Sequence, residues 1–152
     1  LGKTLSKNHG IGIAIHYSFY SYVATAVEVV VIDEKVKLEN VWTTIDCGLV
    51  LNKDNVKNQL EGAAIFGMSI ALFGKISTKE GAVEQNNFFD YQMTRMKHAP
   101  KIHIDILDKM HEKPTGVGEP GVPVMAPAIC NAIFNATGKR VRNLPLVDLG
   151  MV

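Results

Sequence analysis

Residues 23–45 read VATAVEVVVIDEKVKLENVWTTI, and this stretch decides the fold. Val23–Ile32 is rich in β-branched side chains, which fit a pleated, half-buried surface. Asp33, Glu34 and Lys35 interrupt it with three polar residues. Val36–Ile45 then resumes with partial alternation, Val36 and Leu38 opposite Lys37 and Glu39. Two strand-like runs joined by a tight polar turn predict an antiparallel hairpin.

The reading extends outward from there. Ile11–His16 is short and apolar and predicts another strand. After the hairpin, Asn52 or Asp54 can cap a helix, because either side chain can accept from the free N–H groups of a first turn. Val56, Leu60, Ala63, Ala64, Gly67, Ile70 and Ala71 recur at helical spacing. The first two turns are amphipathic and the rest is apolar all round, so that end is expected to be buried. Lys79-Glu80-Gly81 reads as the turn of a second hairpin, and 84–96 (EQNNFFDYQMTRM) as a loop. Lys101–Leu107 alternates, with Ile102, Ile104 and Ile106 inward and His103 and Asp105 outward, as a half-buried strand does. A second helix is expected over Ala126–Thr137, with Pro127 in its first turn and Gly138 as its C-terminal cap. The segment KRVRNLPL (139–146) closes the chain with a short strand. The order β-β-β-α-β-β-β-α indicates the α+β class, antiparallel strands with two main helices in a single domain, 1–152.

Composition narrows the function classes. Hydrophobic residues make up 47% and charged residues 20%, enough for a packed core. Net charge is +1 and no dense basic stripe occurs, so a nucleic-acid partner is not expected. The longest apolar run, Gly62–Phe73, is shorter than the roughly 20 residues a membrane span needs. Cys47 and Cys130 stand in no C-x-x-C and read as buried free thiols. His9, His16, His98, His103 and His111 show no metal-ligand spacing. Asn135-Ala136-Thr137 fits a glycosylation sequon but sits at a helix end. The chain begins at Leu1 without an initiator Met, so the lack of a visible signal peptide leaves its compartment open.

The stretch TGVGEPG (115–121) spells G-x-G-x-x-G around a lone carboxylate, Glu119. A dinucleotide turn follows a strand directly and opens a helix directly. Here about eight residues separate Leu107 from Gly116, Pro120 and Pro123 remove N–H donors, and Glu119 would repel phosphate. The nucleotide reading fails. Gly118 instead clears bulk beside Glu119, and Pro120 biases Glu119 toward an extended backbone. A carboxylate held this way suits a general base, although a surface loop with an incidental acid stays open on local grounds. Gln59 and Glu61 sit where the first helix turns wholly apolar, as a surface pair, a hydrogen bond to the loop or a ligand-facing amide.

Several stretches together carry a resemblance. They are TTIDCGLVLNKDNVKNQLEG (43–62), QLEGAAIFGMSIAL (59–72), the segment 84–96, and GVGEPGVPVMAPAICNAIFNATGKRVRNLPL (116–146). With the opening HGIGIAIHYSFYSYVATAVEVVV (9–31), they resemble the C-terminal part of the molybdopterin-binding large subunit of molybdenum hydroxylases, the xanthine dehydrogenase and aldehyde oxidase superfamily. The pattern is most like the beta subunit of isoquinoline 1-oxidoreductase type. Its most specific element is G-V-G-E-P-G followed by P-A-x-x-N-A-I-x-x-A-T-G. Asn52-Lys53-Asp54 departs slightly from the family's N-P-D.

The resemblance implies site roles. Glu119 matches the catalytic glutamate, Gln59 the glutamine that lies against the molybdopterin, and Gly118 the glycine beside the metal. No residue of this chain matches a metal ligand. The implied reaction hydroxylates an aldehyde or an N-heterocycle with oxygen from water, Glu119 taking the proton from a molybdenum-bound hydroxyl. The implied cofactor is molybdopterin, as its cytosine dinucleotide, with molybdenum. The implied partners are the remainder of the subunit, an iron–sulfur subunit or domain, and the small substrate. The compartment would be bacterial cytoplasm or periplasm. Such subunits are several times longer than this chain, so it is expected to be a fragment that forms one wall of the site and is inactive alone. The alternative is a non-catalytic binding or assembly domain that kept the fold.

Overall fold

The expected hairpin is the middle of a four-stranded sheet. The structure is a computed structural model that describes residues 6–152. Strands β1 (His9–Ser18), β2 (Ser21–Ile32) and β3 (Lys35–Asp46) form an antiparallel meander. The helix α1 (Lys53–Leu72) follows, then a two-residue pair β4 (Thr78–Lys79) and β5 (Ala82–Val83), and a 3-10 turn at Met96–His98. Strand β6 (Lys101–Leu107) returns to the sheet beside β3, and α2 (Met125–Thr137) closes the layer. The sheet order is β1-β2-β3-β6. The α+β class stands, but one pairing differs from expectation: β6 runs parallel to β3. Everything from α1 to the 3-10 turn forms the crossover that parallel pairing requires.

A bulge in β3 explains its partial alternation. Glu28 pairs with Asn40, and the next residue, Val29, pairs with Leu38, leaving Glu39 as the extra residue. Val36 and Leu38 face the core before it, and Val41, Thr43 and Ile45 after it. One inserted residue thus keeps both halves of β3 apolar toward the helices. Thr25 and Thr43, buried opposite one another, satisfy each other through a 2.8 Å hydroxyl contact.

Helix α2 lies on β1 and β2 at backbone contact. A Cβ on Gly10 would stand 2.1 Å from the Ala132 carbonyl oxygen, and one on Gly12 the same distance from the oxygen of Ala128. Only glycine fits there. Two asparagines one helical turn apart then treat the free edge of β1 as a strand partner would. Asn135 Oδ1 accepts from the Ile11 N–H at 2.9 Å, and Asn131 Nδ2 donates to the Ile13 oxygen at 3.1 Å. This gives Asn135 a structural role.

With glycine facing inward, the isoleucines of β1 point the other way. Ile13, Ile15 and Tyr17 are 46%, 73% and 50% exposed. The neighbouring Tyr22 and Trp42 are also exposed, so the sheet face away from the helices carries an uncovered apolar surface.

The helices follow their end signals. Asn52, rather than Asp54, caps α1, its Oδ1 accepting from the Asn55 N–H at 2.9 Å. Gly138 ends α2 in the left-handed conformation, at φ 72°. Glu80 and Gly81 make the expected short turn, and 84–95 has no regular structure. The closing strand is a correction. Residues 139–144 pair with no strand, and a 3-10 turn at Leu146–Leu149 follows with Leu146 fully buried. Pro145 lacks the N–H a ladder would need, and Leu146 gains more by filling the core than by lying on an edge. Among the described residues no helix is long and apolar enough to cross a membrane.

Two glycine substitutions separate the packing term from the backbone term. Gly12→Ala should lower unfolding stability by about 2 kcal/mol or more, because helix backbone must move. Gly62→Ala on α1, where a Cβ meets nothing within 4 Å, should raise it by about 0.5–1 kcal/mol. Chemical denaturation of both variants reads the two signs.

Candidate functional site

The loop carrying Glu119 crosses one end of the sheet. The β1–β2 turn and the C-terminal ends of β3 and β6 meet there, since Tyr22 pairs with Asp46 and Asp46 with Leu107. The turn residues Phe19 and Tyr20 both have positive φ, 51° and 62°, in a tight two-residue hairpin connection. Neither is glycine or asparagine, so the turn holds local strain.

The loop is anchored before the acid. Thr115 N–H donates to the Cys47 oxygen and Gly116 N–H to the Phe19 oxygen, both at 3.0 Å. Ser21 Oγ donates to the Gly116 oxygen at 2.6 Å and contacts Thr115 Oγ1 at 2.7 Å. A Cβ on Gly116 would strike the Phe19 Cβ at 2.6 Å. Upstream, Lys109 Nζ binds Asp46 at 2.7 Å and Glu112 at 3.3 Å, and Lys53 reaches Asp108 at 3.3 Å.

It is anchored again after the acid. The Glu119 oxygen accepts from the Val122 N–H at 3.0 Å, closing a turn over Pro120 and Gly121, both buried. A Cβ on Gly121 would meet the Ala63 Cβ at 2.9 Å and Leu60 Cδ2 at 3.0 Å. One on Gly67 would meet the Met125 Cβ at 2.7 Å. Helix α1 therefore abuts the loop and the start of α2 through small residues.

Between these anchors sit the residues the sequence singled out. Glu119 is exposed and no side-chain hydrogen bond holds it among the described residues. Gly118, also exposed, differs from its neighbours: a Cβ there meets nothing within 4 Å, and its φ is not in the left-handed range. The fold requires glycine at 116 and 121 and does not require it at 118. Gln59 is exposed on α1, four residues before Ala63 and so on the same helix face as the contact with Gly121. Glu61 pairs with Lys57 at 3.8 Å along the helix, an ordinary surface pair. Gly118 and Glu119 thus lie on the loop two to three residues before the Gly121 contact with α1, and Gln59 lies on that helix one turn before Ala63.

The other candidates have structural explanations. Burial pushes the Cys47 thiol up, with Asp46 and Asp108 adding to the effect, and burial does the same to Cys130. His103 stacks on Trp42, and His98 Nδ1 accepts from the Arg95 N–H while burial pulls its pKa down. Among the described residues no group of three or more His, Cys, Asp or Glu side chains could hold a metal ion. Ser21 and Thr115 were invisible to sequence reasoning, because they meet across 94 residues and look like ordinary turn residues.

Comparison with known proteins gives this geometry its context. A family model described as molybdopterin cofactor-binding domain matches residues 4–100, which include Gln59 but not Glu119. The chain is 35% identical to the isoquinoline 1-oxidoreductase subunit beta of Brevundimonas diminuta, over 95% of this chain and 19% of that protein. It is 42% identical to the membrane-bound aldehyde dehydrogenase [pyrroloquinoline-quinone] of Gluconacetobacter polyoxogenes, over 67% of this chain and 13% of that one. In fold it is similar to quinoline 2-oxidoreductase from Pseudomonas putida 86, with a TM-score of 0.74 and 18% identity, over 83% of this chain and 17% of that chain. The chain spans less than a fifth of the length of each of these proteins.

The anchor upstream of Glu119 depends on pH. The Lys109 ammonium bonded to Asp46 holds the Asp46 carboxyl below its ordinary range, and the Gly48 N–H adds to this. A depressed carboxylate contributes stability above its unfolded value, about pH 4, and loses it as pH falls through the lower folded value. Lys109 is raised by Asp46 and Glu112, so its contribution is lost only as pH rises above the usual lysine range. The anchor is therefore expected to hold unchanged through neutral pH and to loosen in acid. The protection of the Lys109 and Glu112 amides, taken as exchange relative to the intrinsic rate at each pH, should fall between pH 7 and pH 3, and Lys109→Met should remove that dependence.

Proposed function

The chain belongs to the molybdopterin cofactor-binding domain family, and from that membership we propose that it forms one wall of the active site of a molybdenum-dependent oxidoreductase, with Glu119 as the general base. The observation that carries the reading is the contrast among the loop glycines. Gly116 and Gly121 are explained by packing within the chain, and Gly118 is not. A glycine that the fold does not need, beside an acid with no side-chain partner among the described residues, fits a surface shaped for a ligand that approaches the backbone. Gln59, exposed on the adjoining helix one turn before Ala63, is the amide we assign to the same ligand.

The residues present fit the cofactor. The open space over Gly118 accepts a bulky group, the Gln59 amide can donate to and accept from a pterin or its phosphate, and the Glu119 carboxylate stands free to take a proton. Bound molybdopterin with molybdenum would supply oxygen transfer and a sink for two electrons. This chain's part is position and proton handling. Glu119 Oε accepts the proton released as water-derived oxygen passes to an aldehyde or N-heterocycle carbon, which requires the carboxylate within hydrogen-bond reach. The cytosine-dinucleotide form of the cofactor rests on the resemblance to bacterial isoquinoline 1-oxidoreductase-type subunits. The aldehyde dehydrogenase relative bears a name with a different redox group, pyrroloquinoline quinone. The family description favours molybdopterin, and that is the cofactor we assign.

The same reading makes this chain one part of a larger molybdopterin-binding subunit that works with an iron–sulfur subunit or domain. The uncovered apolar sheet face around Ile13, Ile15, Tyr17 and Trp42 supports this, as a surface for the remainder of the subunit. By themselves the 152 residues should not retain molybdenum. Stoichiometric metal bound by the isolated chain would overturn that.

In the complete enzyme, Glu119→Gln should keep the cofactor, measured as molybdenum content, and lower turnover by about 10²- to 10⁴-fold. Wild-type turnover would remove Glu119 from the mechanism. Gly118→Val should leave the melting temperature of the 152-residue chain unchanged and reduce cofactor retention by the complete protein. A large loss of melting temperature would mean that glycine there serves the fold.

A further inference from the structure

The loop that presents Glu119 is tied to the far hairpin by a directed chain of hydroxyls. Ser21 is fully buried. Its Oγ lies 2.6 Å from the Gly116 carbonyl oxygen and 2.7 Å from Thr115 Oγ1. A serine has one proton to give, and a carbonyl can only accept. The Ser21 proton therefore goes to Gly116, and the Thr115 hydroxyl must donate to Ser21. The order Thr115 Oγ1–H to Ser21 Oγ, and Ser21 Oγ–H to Gly116 O, is the one assignment that satisfies both contacts.

Two further bonds converge on the same two residues. Gly116 N–H reaches the Phe19 oxygen and Thr115 N–H the Cys47 oxygen. The Phe19 oxygen is presented by a turn in which Phe19 and Tyr20 both occupy the left-handed region, without the Asn or Gly that would relieve it. Strain of this kind persists where surrounding contacts fix it, and here those contacts are the bonds to 115–116. Thr115 and Gly116 lie four and three residues before Glu119, with no regular structure between.

We propose that Ser21 and Thr115 are positioning residues for Glu119: together they fix the backbone from which its carboxylate is aimed. This rests on the reading of Glu119 as the base. The pair touches no reacting atom, and it acts through the loop. Ser21→Ala would leave the Gly116 oxygen and the Thr115 hydroxyl without their partner. Thr115→Val keeps the shape and removes the donor, and Thr115→Ser keeps the donor.

The test has two arms. In the 152-residue chain, amide exchange at Thr115 and Gly116, whose N–H groups donate to Cys47 and Phe19, should rise about five- to tenfold in Thr115→Val and in Ser21→Ala, as expected for loss of one hydrogen bond. Exchange in β2 and β3 should stay unchanged, and Thr115→Ser should restore the wild-type pattern. Unchanged exchange at Thr115 and Gly116 would overturn the brace. Equal acceleration throughout the sheet would also overturn it, by reducing the pair to general stability. In the complete enzyme, Thr115→Val should lower kcat about tenfold with KM within about twofold, and Thr115→Ser should recover it. An opened loop with unchanged kcat would overturn the positioning role. Glu119→Gln measured alongside keeps the two readings apart: full turnover in that variant removes the base, whatever the loop does.

Discussion

The backbone contact between α2 and β1 is the constraint on which the rest depends. Gly10 and Gly12 let the helix sit where any side chain would collide with the Ala128 and Ala132 carbonyl oxygens. That contact sets the height of α2 over the sheet, and with it the position of Val124 and Met125 at the helix start. Met125 packs on Gly67 of α1, and Gly121 packs on Leu60 and Ala63. The turn that carries Glu119 is therefore clamped between two helices whose spacing the small residues of β1, α1 and the loop determine. Close packing of this kind deforms little, which suits a group that must be aimed.

The loop itself divides its labour by residue. Gly116 and Gly121 serve contact, Pro120 serves burial and direction, and Thr115 takes part in the bonds to Cys47 and Ser21. Val117 packs on the core cluster of Val23, Ile45 and Val124, while a Cβ on Gly118 would meet nothing within 4 Å and no side-chain hydrogen bond holds Glu119 among the described residues. We take the cleared backbone at Gly118 and the exposed acid at 119, which has no side-chain partner among the described residues, as the features that the proposed ligand would use. The chain belongs to the molybdopterin cofactor-binding domain family, and on the proposed reading that ligand is molybdopterin.

Much of this was legible in the sequence, where the signals are local. The alternation of Lys101–Leu107 and the Gly138 cap depend on neighbours in the chain and form as read; of the two caps offered, Asn52 is the one used, and the turn read at 79–81 narrows to Glu80-Gly81 because Lys79 pairs in β4. The inward face of β1 was not legible. The sequence reads Ile11–His16 as a short apolar strand without assigning its faces, and Gly10, Gly12 and Ala14 face the helix because the backbones approach closely there. The parallel pairing of β6 is a choice among distant partners. The Ser21–Thr115 contact joins residues 94 apart, so no local pattern reports it. For the site, Pro120 and Gly118 hinted at a presented acid, and family resemblance supplied what that acid would meet.

The most direct test is a crystal structure of the complete protein with molybdopterin bound. The account predicts a Glu119 carboxylate oxygen about 3 Å from an oxygen at the metal. It also predicts cofactor or metal atoms in van der Waals contact with the Gly118 backbone. A bound cofactor lying elsewhere, with Glu119 turned to bulk water and Gly118 facing empty space, would contradict it.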